Sequence, residues 1–226
     1  MEKLFERNGN PTCAAGGGSL FYGDMWRGQT FTPQITHKIT KIKLGVWRVG
    51  NAGPLIISIR KTSEGKPVGE DLVSLTVDPS TLPTDDSWYW TGIGECPEED
   101  YTLSLLPEFT LPEPVTVEAN QQYAIIFRSP TSPDSSNCIN FSIITEEDTY
   151  PRGDELVSQD GGDTWSIKSG WDIYFAEYGE EITEEAPSPT LTEQITNLMN
   201  VMVPMMMVVM IISLLTSVMR SVRPKK

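Results

Sequence analysis

Short runs of alternating apolar and polar residues fill most of this chain, and the pattern changes abruptly at its end. After residues 29–33 (QTFTP), the run 39–49 (ITKIKLGVWRV) places Ile39, Ile42, Leu44 and Val46 among polar residues in partial alternation. A turn-rich GNAGP follows at 50–54. Side chains alternate across a strand, so in 55–61 (LIISIRK) Leu55, Ile57 and Ile59 share one face and Ile56, Ser58 and Arg60 the other. Further runs are DLVSLTVD, SWYWTGI, YTLSLL, PVTVEA, QYAIIFRS, NCINFSII, DELVSQ, DTWSIK and WDIYFAEYG, most of them separated by Gly, Pro, Asn or Asp clusters. No window before Pro187 shows the 3.6-residue apolar period of a helix. The pattern predicts a mostly β fold, an antiparallel β-sandwich or barrel.

The closing segment follows another rule. Residues 195–219 carry no charge, and 201–218 (VMVPMMMVVMIISLLTSV) are almost wholly apolar. About 20 apolar residues in a helix cross the hydrocarbon core of a bilayer. Val201, Pro204, Met207, Ile211, Leu215 and Val218 lie in this predicted transmembrane helix, and its partner is the lipid bilayer. Thr190 and Glu193 have capping-box spacing, so the helix is expected over 191–219, roughly 43 Å long. Pro204 removes one backbone hydrogen bond and predicts a kink. Asn197, Asn200 and Pro204, and again Ser213, Thr216 and Ser217, could line a helix–helix contact in lipid, which makes a homo-oligomer through the helix one expectation. Arg220, Arg223, Lys225 and Lys226 follow the span. Basic flanks tend to stay on the cytoplasmic side, so the β domain is expected outside and the C-terminus inside, with a tail-anchored protein whose domain lies in the cytosol as the alternative.

Five regions result: an irregular arm at 1–27, the β-sandwich at 28–179, an acidic proline-containing linker at 180–190, the helix at 191–219 and the basic tail at 220–226. The chain has 226 residues and a net charge of −14. Before Arg220 there are 13 basic against 31 acidic residues, a balance of −18, and the tail carries +4. Such an acidic body repels phosphates, which excludes direct nucleic-acid binding by the β domain. The first 19 residues hold no apolar run of signal-peptide length. Cys13, Cys96 and Cys138 are odd in number and leave at least one thiol outside intramolecular pairing. With one histidine and no CxxC, a zinc site is not expected.

The sharpest local motif is SQDGGDTW at 158–165. Through Ser158, Asp160, Gly162, Thr164 and Trp165 it resembles the Asp-box of sialidases and other β-proteins. The resemblance implies a hairpin turn whose Asp ties down the turn backbone and whose Trp packs beneath it. It implies no activity, and a single copy does not support a propeller. From about Gly28 to Gly179, the order QTFTP, VWRVGNAGP, IISIR, GKPVGEDL, WYW, QQYAIIFRSP, SQDGGDTW and WDIYFAEYG resembles jelly-roll β-sandwich modules of viral structural proteins and secreted proteins. That likeness implies a jelly-roll-like sandwich and, by analogy, particle assembly or carbohydrate binding.

Other candidates are weaker. Trp88 and Trp90 share one face of their strand and could stack on a glycan, although large aromatics usually fill sandwich cores. Arg152-Gly153-Asp154 is an integrin-type tripeptide that a turn between strands explains equally. The acidic loops at 85–86 and 98–100 could hold calcium, the one cofactor considered; solvated loops explain them as simply. His37 has no evident nucleophile partner, and residues 16–18 lack the lysine of a phosphate loop. The expectation is a non-enzymatic, membrane-anchored structural or surface protein of a virion, in contact with capsid neighbours or host glycans. A cellular carbohydrate-binding surface protein comes second and a membrane-bound glycan hydrolase third.

Overall fold

A computed structural model describes residues 2–9, 17–84, 106–145, 149–182 and 190–221. The chain divides into two units, Met1–Ile182 and Thr183–Lys226. Among its described residues the first holds strands joined by turns and loops, with one 3-10 turn, Pro79–Thr81, and all its strand pairings are antiparallel. Among its described residues the second contains one α-helix.

Three sheets build the β unit. One has the order β1 (Lys3–Asn8), β14 (Phe175–Glu181), β4 (His37–Leu44), β8 (Glu108–Val117). In a second, β10 (Cys138–Ile144) pairs with β13 (Asp172–Ile173), β2 (Gly17–Phe21) and β5 (Val46–Val49). The third runs β12 (Ser166–Lys168), β11 (Glu155–Ser158), β3 (Trp26–Phe31), β9 (Tyr123–Arg128), β6 (Leu55–Ser63), β7 (Lys66–Val77). The first two sheets run into each other: Gly45 separates β4 from β5, Tyr174 separates β13 from β14, and the Gly45 N–H donates to the Tyr174 carbonyl (3.1 Å). The run 39–49 is therefore two strands in two sheets.

All three sheets feed one core. Ile39, Ile42, Leu44 and Phe175 come from the first, Phe21, Ile139 and Phe141 from the second, and Phe31, Leu55, Ile57, Ile59 and Phe127 from the third. Leu55, Ile57 and Ile59 face inward together, the face their alternation predicts. Phe127 meets Phe21 and Phe141 edge-on, at centroid distances of 5.3 and 5.5 Å, and Phe21 and Phe141 are tilted to each other at 6.0 Å. Each such side chain stabilises the fold by roughly 1.5–3 kcal/mol when fully buried.

The structure corrects the sequence reading at the N-terminus. The expected irregular arm at 1–27 instead holds, among its described residues, β1, β2 and the start of β3. The physical reason is an inverted pattern: β1 buries Glu6 and Asn8 and leaves Lys3 and Leu4 at the surface. At the other end β14 continues through Glu181, two residues into the expected linker.

The helix, α1, spans Leu191–Ser221 and passes through Pro204 without interruption. Its start is a capping box. The Thr190 N–H donates to Glu193 Oε2 (2.7 Å), and the Glu193 N–H donates to Thr190 Oγ1 (3.3 Å). Within it, Leu191–Met219 is long and apolar enough to cross a membrane; an 18-residue stretch of it has a mean hydropathy of 2.4, with none of that stretch buried.

Candidate functional site

Three features of the structure carry chemistry. The first is the helix: a water-soluble helix hides an apolar face, whereas α1 presents apolar side chains all round. Val201, Pro204, Met207, Ile211, Leu215 and Val218 all lie on it, with Arg220 in its last turn; Arg223, Lys225 and Lys226 fall outside the described residues. Thr196 and Thr216 turn their hydroxyls back onto the carbonyls of Thr192 and Ile212, both at 2.8 Å. Self-satisfied hydroxyls of this kind cost little in lipid.

The second feature is a charged network inside the β unit. A bulge between Leu4 and Glu6 takes Phe5 out of register with β14, and its ring stacks on His37 at 3.8 Å. His37 Nε2 lies 2.9 and 3.0 Å from the Glu177 carboxylate oxygens, and His37 Nδ1 lies 2.7 Å from the Ile35 carbonyl. Both residues are wholly buried. Burial alone would lower the His37 pKa, but the hydrogen bond and charge of Glu177 outweigh it and raise it. Burial pushes Glu177 up, with His37 opposing. Beside them, Glu6 accepts from the Tyr150 hydroxyl (2.8 Å) and the Gln34 N–H (3.1 Å) and pairs with Arg152. Tyr150 also donates its N–H to Asp172 Oδ2 (2.9 Å), and Gln29 Nε2 donates to Asp172 Oδ1 (2.9 Å). Further along β3, Arg27 Nε stands 3.9 Å from Glu155 Oε1, too far for a hydrogen bond. Burial pushes Glu155 up to about 7, and Arg27 offsets only part of this.

The third feature is the turn at 159–165, which joins β11 and β12 as a hairpin. Asp160 Oδ1 accepts from the Thr164 N–H (2.9 Å) and the Ser158 hydroxyl (2.7 Å), and Oδ2 accepts from the Thr164 hydroxyl (2.5 Å). The Thr164 bonds come first among the causes that hold Asp160 at about 2. The Gly162 N–H donates to Ser158 Oγ (2.9 Å), and Trp165 packs edge-on against Trp26. Gly162 has φ +92°, and a Cβ there would lie 2.6 Å from the Trp26 ring.

Other sequence candidates resolve differently. Trp88, Trp90, Cys13, Cys96 and the acidic loops at 85–86 and 98–100 lie outside the described residues. Cys138 is a buried free thiol that donates to the Ser135 carbonyl (3.2 Å). The Arg152-Gly153-Asp154 tripeptide is built into the fold: Arg152 pairs with Glu6, a Cβ on Gly153 would strike the Thr30 carbonyl, and Asp154 Oδ1 accepts from the Gly170 N–H (3.0 Å). Among the described residues no cluster of three His, Cys, Asp or Glu is arranged to hold a metal ion. Sequence reasoning missed Glu6, Tyr150, Glu155 and Glu177. One readable sign of Glu177 was its parity, since Ile173, Phe175 and Glu177 occupy alternate positions and the first two are core residues.

No protein-family model matches the chain, and no curated protein matches it. Among solved structures, it is similar at TM-score 0.39 and 10% identity to a crystal structure of the cysteine protease and lectin-like domains of Cwp84, a surface layer associated protein of Clostridium difficile. The likeness covers 80% of this chain and 36% of that one. At that TM-score it carries no weight for function.

Proposed function

We propose that this chain is a non-enzymatic, membrane-anchored structural or surface protein, held in a virion membrane by α1 and displaying its β unit to capsid neighbours or host glycans. The observation that carries this reading is the exposed apolar span Leu191–Met219 beside a β unit with its own core. The basic tail favours an internal C-terminus and an external β unit. We read 28–179 as a jelly-roll-like sandwich and the 158–165 turn as an Asp-box with a structural role; the Asp160 contacts support the latter. A non-catalytic role is supported by the burial of the chain's one histidine with Glu177, which gives a substrate no access to either.

The test is fractionation. The full chain is expected to float with lipid vesicles and resist alkaline carbonate extraction. With membrane-bound chain, external protease should attack the β unit and spare the tail. Recovery in the soluble fraction would end the anchor reading. Protection of the β unit would reverse the orientation. Absence from purified particles of a producing host would remove the virion role.

A further inference from the structure

The His37–Glu177 pair lies in a site closed to water, and its geometry counts protons. His37 Nδ1 faces the Ile35 carbonyl at 2.7 Å, and a carbonyl can only accept, so Nδ1 carries hydrogen. His37 Nε2 faces the Glu177 carboxylate at 2.9 and 3.0 Å. An imidazole nitrogen and a carboxylate at that distance need one proton between them, because two lone pairs would otherwise face each other in a buried site. The pair therefore binds one proton more than a free neutral histidine and a free carboxylate. The Phe5 ring, parallel to the imidazole at 3.8 Å, places a negative π-face against the resulting charge.

The surroundings fix the charge balance. From β1, Glu6 faces the pair, but its charge is answered by Arg152 and by the Tyr150 hydroxyl. From β14 comes Glu177, whose one cationic partner among the described residues is His37. From β8 the residue opposite His37 is Val117, which carries no charge. With the shared proton, the group of Glu6, Arg152, Glu177 and His37 is neutral. Without it, the group holds a net buried negative charge.

β1 depends on this balance more than its neighbours do. Among the described residues it is an edge strand, paired with β14 on one side, and contributes no side chain to the main apolar core. Its inward attachments are the Phe5 stack, the Glu6 bonds and the Asn8 amide on the Ile173 carbonyl (3.0 Å). β4 and β14 are fixed by Ile39, Ile42, Leu44 and Phe175 in the core. A strand held by polar contacts opens before strands held by core burial.

We propose that the His37–Glu177 pair is a proton-dependent latch for β1: with the shared proton bound the strand stays on β14, and when the proton leaves the strand opens and frees the β14 edge. The sign follows from linkage. The folded His37 pKa is raised above its unfolded value, so the latch is complete below about pH 6.5 and weakens as pH rises towards the folded pKa. One extra bound proton gives about a tenfold rise in the opening constant of β1 per pH unit across that window.

The experiment uses the full chain in detergent micelles. Because His37 is the chain's one histidine, its ring nitrogens can be read without assignment by nitrogen NMR after histidine-selective labelling. At about pH 8, where a free imidazole is neutral, the spectrum is expected to show a ring protonated at both nitrogens or sharing its Nε2 proton with a carboxylate. Hydrogen exchange of 3–8, corrected for intrinsic pH dependence, is expected to give an opening constant that rises by up to about tenfold per pH unit above about pH 6.5 and exceeds that of 55–63 throughout. Glu177→Gln keeps the shape, removes the charge, and should flatten the slope. A neutral Nδ1–H imidazole whose Nε2 receives no proton from Glu177 at about pH 8 would overturn the proposal, and the wild-type spectrum tests this even if the variant fails to fold. So would a flat profile for 3–8, exchange of 55–63 as fast as that of 3–8, or a slope that survives Glu177→Gln.

Discussion

The β unit and the helix treat the same kind of side chain in opposite ways. In the β unit Phe, Ile and Leu are drawn from three sheets into one dry core, and the surface is left acidic. In the helix Val, Met, Ile and Leu are all exposed, and no charge lies between Ile195 and Met219. The contrast shows that apolar residues report the solvent an element is made for. A strand alternates because one face meets water; a helix that is apolar all round has no face for water. Each unit is therefore stabilised by a different medium, and a charge or cavity that harms one should leave the other untouched.

The largest test of that separation is Met207→Lys with Ile211→Lys. Each lysine near the centre of a span costs about 3 kcal/mol of insertion, so the pair should move the protein from the carbonate-resistant to the soluble fraction. The unfolding midpoint of the β unit should not change. Next, Phe141→Ala removes a ring that touches Phe21 and Phe127, and should cost about 3–5 kcal/mol in denaturant unfolding while membrane retention stays constant. A smaller effect depends on pH. Glu155 is raised to about 7 by burial, so the folded state holds a proton that the unfolded state releases above its ordinary carboxylate value; stability falls as pH rises from about 4.5 to 7 and is level beyond. Glu155→Gln should therefore stabilise the protein by about 1–3 kcal/mol at about pH 8 and by little at about pH 4, read from urea midpoints at both. Smallest is Thr190→Ala, which removes the cap and should cost about 1 kcal/mol, seen as lost helicity at the start of α1 in micelles while the β unit is unaffected.

Legibility divides along the same line. The span was plain because a run without charge has few alternative explanations. The core strands were plain wherever apolar residues alternate, as in Leu55, Ile57 and Ile59. β1 was invisible because its buried positions are Glu6 and Asn8, so its alternation reads inside out. The break at Gly45 was hidden because 39–49 is continuous in apolar content although it serves two sheets. The charged network could not be read as a site, since its members come from 6, 37, 150, 152 and 177 and only the fold assembles them. His37 looked solitary because its partner is 140 residues away.

The pairing of Lys3 with Gly179 also sets an order of events during synthesis. β1 leaves the ribosome before every other described strand, carries no apolar face with which to join early collapse, and among the described residues has no partner strand until β14 is made. Contacts this distant in sequence form slowly, because a long loop must close before they are rewarded. β14 ends at Glu181 and the helix begins at Leu191, so the sheet can close only as the hydrophobic anchor is itself being made. Final closure of the β unit and delivery of the anchor to lipid thus fall together in time, and a delay in either leaves an open sheet edge and an unburied apolar helix on one nascent chain.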